Sequence, residues 1–150
     1  MNLSEHFTLA EMTVTNQRFD NTPNAAEIAN LNLLCAHILE PVRAHFGRPV
    51  RINSAFRSAR VNSAVGSKPG SQHRKGEAAD MEIAGISNAD LARWIRDNLD
   101  FDQLILEAYR PGVAGSGWVH CSWRAGGNRK QCLTMTMGSH GPVYSKGINP

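Results

Sequence analysis

The chain has 150 residues, of which 41% are hydrophobic, and this length and composition predict one folded domain over residues 1–150. The formal net charge is +3, a mild basic excess that suits binding to an anionic polymer. Lysines and arginines are scattered along the chain and aromatic residues make up only 7%, so nucleic-acid binding is not indicated.

The amino-terminal residues lack the basic start and apolar run of a secretion signal. No segment approaches the ~20 apolar residues that a membrane-spanning helix requires. We therefore expect a protein made in the cytoplasm without a signal peptide and without membrane insertion. Cys35, Cys121 and Cys132 have no Cys-x-x-Cys spacing, which indicates neither a disulfide framework nor a thiolate metal cluster.

The first half of the chain predicts mainly helices. A short helix is expected over residues 7–12. Apolar residues recur at helical spacing over residues 24–46, which predicts a long amphipathic helix with a kink or a break at Pro41. The next expected elements are a strand over 50–54, a short helix over 60–66 and a loop over 67–76.

The second half predicts mainly strands, with one helix over residues 88–98 that begins after an N-cap at Ser87. Helices before and between strands, followed by a late hairpin, predict an α+β domain with an antiparallel sheet and helices packed on one face. The expected strands are 79–83, 103–107, 118–123 and 131–135.

Residues 71–80 carry the clearest chemical signal and read Ser-Gln-His-Arg-Lys-Gly-Glu-Ala-Ala-Asp. The step from His73 to Asp80 is too long for one helical face, and a glycine followed by two alanines predicts a loop running into a strand. Forty residues later, His120 lies in an alternating segment, where it shares a strand face with Trp118 and Ser122.

Two imidazole nitrogens and one carboxylate oxygen form the ligand set of an open tetrahedral zinc site, with a fourth position left for water. His73, Asp80 and His120 supply such a set, which favours a zinc hydrolase. The plainer alternative is a loop histidine and a carboxylate at the start of a strand, with no metal.

The pattern Ser-x-His-x-x-Gly-x-Ala-x-Asp followed by Trp-x-His resembles the signature of the zinc D-Ala-D-Ala carboxypeptidase family. That family includes cell-wall carboxypeptidases, vancomycin-resistance dipeptidases and phage endolysins. The resemblance extends from about Phe7 to about Met137. It implies a hedgehog-like or D-Ala-D-Ala-peptidase-like fold with one zinc ion on the sheet. The residues that fill the fixed positions of the first element are Ser71, His73, Gly76, Ala78 and Asp80.

The resemblance also implies roles for residues outside the ligand set. The family usually has an acidic residue three positions before the second histidine, where this chain has Gly117. A hairpin would bring Glu107 close to His120 instead, so we predict Glu107 as the general base. The segment 52–58 is similar to the strand and turn that supply an active-site arginine in the family. Arg57 is therefore the predicted oxyanion stabiliser, with Arg60 as the alternative, and Ser71 is expected to bind substrate or hold the ligand loop.

The function that the resemblance implies is zinc-dependent hydrolysis of peptide bonds in peptidoglycan, by a carboxypeptidase or an endopeptidase of the phage endolysin type. Such a monomeric enzyme would act on the cell wall after release, through a separate route such as a holin if it is phage-encoded. The alternatives are a non-hydrolytic zinc-binding module, as in the signalling domain of hedgehog proteins, and a cytoplasmic D-Ala-D-Ala dipeptidase. We expect the loop over 110–117 and the segment after Met137 to set specificity.

Overall fold

The computed structural model describes all 150 residues, which form five α-helices and a six-stranded sheet. None of the helices combines the length and the apolar character that a membrane crossing requires. The helices are α1 (Leu9–Met12), α2 (Ala25–Leu34), α3 (Glu40–Phe46), α4 (Ala59–Ala64) and α5 (Asn88–Asn98). The strands are β1 (Arg51–Ser54), β2 (Ala78–Glu82), β3 (Gln103–Glu107), β4 (Trp118–Ser122), β5 (Gln131–Gly138) and β6 (Gly141–Lys146).

Helices α2 and α3 are joined without a break by one π-helical turn, Cys35–Leu39. Within this turn the N–H of Glu40 donates to the carbonyl of Cys35, five residues earlier. The next residue, Pro41, has no N–H to donate, and in a regular helix its ring would clash with the carbonyl four residues earlier. The wider turn occurs immediately before the proline, where the sequence predicts a kink or a break.

The strand order is β1-β2-β4-β3-β5-β6, and β3 and β5 are the one parallel pair. The sheet is therefore mixed, whereas the sequence predicts an antiparallel one. Strand β4 ends at Ser122, which lies opposite Ala78 at the start of β2. The start of β3 lies at this same end of the sheet. The connection over 123–130 remains at that end of the sheet, because the carboxylate of Asp102 accepts hydrogen bonds from the backbone and the side chain of Arg129. Strand β5 then begins level with Gln103 and runs parallel to β3.

One face of the sheet is buried against the helices, which confirms the predicted α+β class. Met81, Leu104 and Val119 on this face are fully buried and belong to a single hydrophobic cluster that also includes Leu34 and Ile95 from the helices. Burying these side chains removes apolar surface from water and stabilises the layered arrangement.

The opposite face of the central strands carries polar residues. Asp80 on β2 lies directly opposite His120 on β4, and His120 lies opposite Ile105 on β3. Two positions further along this pair, Glu107 lies opposite Trp118. Because directly opposed residues share a face, these three central strands present Asp80, His120 and Glu107 on the same side.

Candidate metal centre

His73 lies on a 3-10 turn, Gln72–Lys75, immediately before β2. Ser71 caps the turn, since its hydroxyl accepts a hydrogen bond from the N–H of His73 at 3.3 Å. Gly76 ends the turn with a φ of +77°, and a Cβ there would lie 2.7 Å from the carbonyl oxygen of Glu27. A glycine is therefore required at this position by both the backbone conformation and the close approach of α2. This requirement accounts for the glycine of the motif.

The orientation of the His73 ring is set by its Nδ1 atom, which donates to the carbonyl oxygen of Ala55 at 2.7 Å. That bond leaves Nε2 as the nitrogen able to bind a metal, because the other nitrogen carries the proton. His73 Nε2 lies 3.3 Å from Asp80 Oδ1. The carbonyl of Ala55 thus acts as the outer partner that a histidine ligand needs.

The third candidate ligand, His120, places Nδ1 2.9 Å from Asp80 Oδ1. One ligand atom from each of His73, Asp80 and His120 lies within 4.8 Å of the others. In a tetrahedral zinc site with ligand distances of 2.0–2.1 Å, neighbouring ligand atoms are about 3.3 Å apart. The three residues are only 4%, 6% and 8% exposed. Their spacing and burial fit one zinc ion with one coordination position free.

The charges in the cluster favour binding of a cation. Burial alone would raise the pKa of Asp80, but the hydrogen bonds and charges of His73 and His120 outweigh it and hold this pKa below its ordinary range. Burial lowers the pKa of His73, so its ring is neutral, as a metal ligand must be. Burial opposes the positive form of His120 too, but Asp80 and Glu107 raise its pKa overall.

A cleft of about 590 Å³ opens above the cluster and is lined by all six residues that the sequence predicts for the site. These residues come from segments as far apart in the chain as the turn after β1 and strand β4. The six are Arg57, Ser71, His73, Asp80, Glu107 and His120.

Arg57 is held against the ligand cluster from three directions. Its backbone N–H donates to the carbonyl of His73 at 2.9 Å, its Nε donates to the hydroxyl of Ser54 at 3.0 Å, and its Nη2 lies 3.5 Å from Asp80 Oδ2. The alternative arginine, Arg60, stacks its guanidinium over an exposed ring 4.5 Å away and does not line the cleft. Of these two arginines, only Arg57 therefore lines the cleft beside the ligand cluster.

Comparison of the sequence with known proteins identifies a family of peptidases and a zinc enzyme to which this chain is similar. The model of the family described as Peptidase M15 matches residues 5–122. The chain belongs to the Peptidase M15 family. The zinc D-Ala-D-Ala carboxypeptidase of Streptomyces albus G is 32% identical over 109 residues, which are 71% of this chain and 42% of that relative. The chain thus matches less than half the length of this curated relative.

In this member of the Peptidase M15 family, position 117 cannot carry an acidic side chain. Gly117 has a φ of +67°, and a Cβ there would collide with the backbone carbonyl of Glu107. Glu107 itself lines the cleft from the neighbouring strand, on the face that carries His120. Burial raises the pKa of this carboxyl above its ordinary value, although the charge of His120 opposes the rise. Glu107 thus provides a carboxyl group in the cleft without an acid at position 117.

Trp118 places a buried polar group in the wall of the cleft beside Glu107. Its indole N–H is close enough to the Glu107 carboxylate to favour the ionised form, yet it makes no hydrogen bond of full geometry with any protein atom. A buried donor without a partner costs free energy unless a ligand satisfies it. The Glu107 carboxylate is the nearby group that the indole N–H favours in its ionised form.

Of the two segments that the sequence predicts to set specificity, one lines the cleft and the other does not. Pro142 and Tyr144 of β6 line it, so the segment after Met137 does reach the cleft, and its role in specificity stays a prediction. The loop over 110–117 does not line it, because Asn88 at the start of α5 binds the carbonyl oxygens of Ser116 and Gly117. Two further lining residues that sequence reasoning missed are Lys68 and Gln103. Neither belongs to a motif, so only the fold reveals them.

Proposed function

We propose that this protein is a zinc-dependent peptidase that hydrolyses peptide bonds in the stem peptides or cross-links of peptidoglycan. Membership of a peptidase family supports hydrolysis, and the similarity to a zinc D-Ala-D-Ala carboxypeptidase supports zinc and a D-Ala-containing substrate. The observation that carries the proposal is the buried His73–Asp80–His120 cluster at the floor of a cleft that also contains Glu107 and Arg57.

The zinc site has two imidazoles and one carboxylate, the donor set of catalytic zinc centres with an open position. When bound, zinc supplies a Lewis acid that polarises the scissile carbonyl and makes a water available as a nucleophile near neutral pH. His73 is held for this task by Ala55, and Asp80 supplies the negative charge.

Glu107 is the general base of the proposed reaction. Its carboxylate accepts a proton from the attacking water while the oxygen of that water bonds to the carbonyl carbon. The same carboxyl then donates this proton to the amide nitrogen as the C–N bond breaks. A pKa raised by burial favours the second step, because a weaker acid holds the proton until the leaving amine takes it.

Arg57 is the proposed oxyanion stabiliser. Its side chain is 15% exposed and its guanidinium is fixed by Ser54 and Asp80, so its free N–H groups need little reorganisation when negative charge develops on the carbonyl oxygen. Ser71 holds the turn that carries His73 and lines the same cleft, which supports the proposed role in fixing the ligand loop.

The shape of the site supports a polymeric substrate. A second depression adjoins the cleft at Ser71, Gln103 and His120, so there is recessed polar surface beyond the ligand cluster for further residues of a peptide. A free dipeptide would require a small closed pocket instead. We therefore favour an endopeptidase of the endolysin type, made in the cytoplasm and acting on the cell wall after release by a holin-like route if it is phage-encoded.

The test is digestion of purified peptidoglycan by the zinc-loaded protein, by the protein stripped with a chelator and by the stripped protein reloaded with zinc. Mass spectrometry of the soluble products identifies the bond. We expect new muropeptides from the loaded and reloaded samples alone, with new amino and carboxyl termini at one type of peptide bond. Zinc bound at one ion per chain with no product from any sample would instead indicate a non-hydrolytic binding module.

A further inference from the structure

A second pocket, of about 330 Å³, adjoins the active-site cleft on the side of the 3-10 turn. Ser71, Gln103 and His120 line both the pocket and the cleft, so the two lie side by side. No hydrophobic residue lines the pocket. We call it the basic pocket, after its remaining lining residues, which include Lys75, Arg124 and Arg129.

One of the three cations in the basic pocket is already neutralised. Arg129 binds the fully buried carboxylate of Asp102 through two hydrogen bonds, from Nε at 3.0 Å and from Nη2 at 2.9 Å. The geometry is bidentate, the strongest form of an arginine–carboxylate pair. These two charges therefore cancel and contribute little to ligand binding.

The other two cations remain available. Lys75 is exposed and its ammonium group forms no ion pair. Arg124 uses Nε to donate to the carbonyl of Gly127 and lies 3.7 Å from Asp102, which leaves its two terminal nitrogens free. Glu77 is the single anion opposing them, and it is within 3.5 Å of the amide nitrogen of Gln72. The pocket thus has one surplus positive charge and polar walls.

We infer that the basic pocket is a subsite for a carboxylate group of the substrate, on a stem-peptide residue bound beside the metal site. This inference rests on the proposed function. In peptidoglycan stem peptides the D-glutamate is linked through its γ-carboxyl group, so its α-carboxyl group is free to be a carboxylate or an amide. The subsite would make the enzyme select stem peptides with the free carboxylate over those with the amide.

The chemistry of the walls argues for a carboxylate over other groups. An apolar side chain or the face of a sugar ring would need an aromatic or aliphatic surface, and the pocket has none. A doubly charged phosphate would be repelled by Glu77 and matched by only one surplus positive charge. A single carboxylate matches the one surplus charge, and its two oxygens have lone pairs for hydrogen bonds from Arg124 and Lys75, which both line the pocket.

The experiment uses a matched pair of pentapeptides, L-Ala-γ-D-Glu-L-Lys-D-Ala-D-Ala with either the free α-carboxylate or the α-carboxamide on D-glutamate. Calorimetry measures the affinity of each for the zinc-loaded Glu107→Gln protein, so that binding is measured without turnover. The same measurement is made after adding Lys75→Gln or Arg124→Gln. The control is Arg51→Gln, which also removes an exposed positive charge. Arg51 lies on β1 opposite Glu82, at the end of β2 that is remote from the basic pocket.

We expect the carboxylate peptide to bind about tenfold more tightly than the amide, which corresponds to ~1.4 kcal/mol. This ratio should fall to about twofold or less in the Lys75 and Arg124 variants and remain unchanged in the Arg51 variant. It should also decrease as salt is raised, because the subsite is partly exposed.

Different results would contradict the carboxylate subsite and the proposed peptidase activity. Equal affinity for the two peptides, or a ratio that the Lys75 and Arg124 variants leave unchanged, would overturn the subsite. Cleavage of both peptides at equal kcat/KM by the wild-type protein would overturn it as well, and leave the peptidase function standing. A carboxylate preference in binding, with no muropeptides released from purified peptidoglycan by the zinc-loaded wild type, would support the subsite and overturn the proposed hydrolysis.

Discussion

Glu107 lies directly opposite Trp118 across the β3–β4 pair, and its backbone carbonyl occupies the space that a side chain at Gly117 would need. The acid that relatives are expected to have before the second histidine is thus sterically incompatible with the β3–β4 hairpin of this protein. Glu107 on the adjoining strand places a carboxyl in the cleft without that clash. The Glu107 carboxyl in the cleft and the glycine at position 117 therefore belong to one structural arrangement.

This arrangement predicts that even the smallest side chain at position 117 destabilises the fold. Gly117→Ala should lower the free energy of unfolding by about 2–4 kcal/mol, because a Cβ collides with the backbone of Glu107 and the φ is positive. Gly112→Ala is the control, since its φ is +82° but a Cβ there would have no other atom within 4 Å. Urea unfolding of both variants separates the collision from the backbone strain. Equal losses for the two variants would contradict the steric argument.

The metal site predicts that Asp80→Asn abolishes tight zinc binding. The substitution keeps the size of the side chain but removes the one negative charge among the three candidate ligands. Zinc per chain after dialysis should fall from one to well below one, as measured by atomic emission. Asp90→Asn, on an exposed carboxylate of α5, should retain the metal. Full zinc retention by the Asp80 variant would show that the metal lies elsewhere.

The position of Arg57 predicts that a lysine cannot replace it. Arg57→Lys keeps the charge but loses the fork held by Ser54 and Asp80, so kcat should fall by ~10²-fold with a smaller change in KM. Arg60→Lys, outside the cleft, should retain activity within about twofold. Steady-state kinetics on a stem peptide measure both. A larger loss for Arg60 than for Arg57 would reverse the assignment.

The Asp102–Arg129 pair predicts a stability change at low pH. The hydrogen bond from Arg129 is the main cause that lowers the pKa of Asp102 to about 2 from an ordinary value of 3.8. The folded state therefore holds the ionised form more tightly than the unfolded state does. The resulting stabilisation is fully present above about pH 4 and is lost as the pH falls toward 2.

At neutral pH this contribution is about 1–2 kcal/mol, once the solvent screening of the half-exposed Arg129 is allowed for. Asp102→Asn should therefore be less stable than the wild type at pH 7, and the difference should shrink between pH 4 and pH 2.5. Urea unfolding at these three pH values provides the comparison. A difference that is constant with pH would mean that Asp102 acts through packing alone.

Much of the site follows from the sequence because its residue types are chemically restrictive. Two histidines and an aspartate at the spacing of a loop and two strands predict the ligand set, and the structure brings His73, Asp80 and His120 within 4.8 Å of one another. The sequence also predicts that His120 and Glu107 share a face of the β3–β4 hairpin, and they do. This prediction is possible because side chains on a strand alternate strictly between faces.

Other features could not be read from the chain. Strand β6 has five exposed residues out of six, so it lacks the apolar alternation that marks a half-buried strand. The parallel pairing of β5 depends on where the connection after β4 is held, and Asp102 holds it through contacts 27 residues away in sequence. The basic pocket combines Lys75 with Arg124, and nothing in local sequence relates the two.

Whether Glu107 is the base of a zinc peptidase is tested most directly by peptidoglycan digestion with the zinc-loaded Glu107→Gln protein. Its matched control is Glu5→Gln, at a carboxylate that is 84% exposed and remote from the cleft. We predict one zinc per chain in both proteins, with muropeptide release reduced ~10²–10⁴-fold in the Glu107 variant alone. Release at the wild-type rate by the zinc-loaded Glu107 variant would show that this carboxyl is not the base.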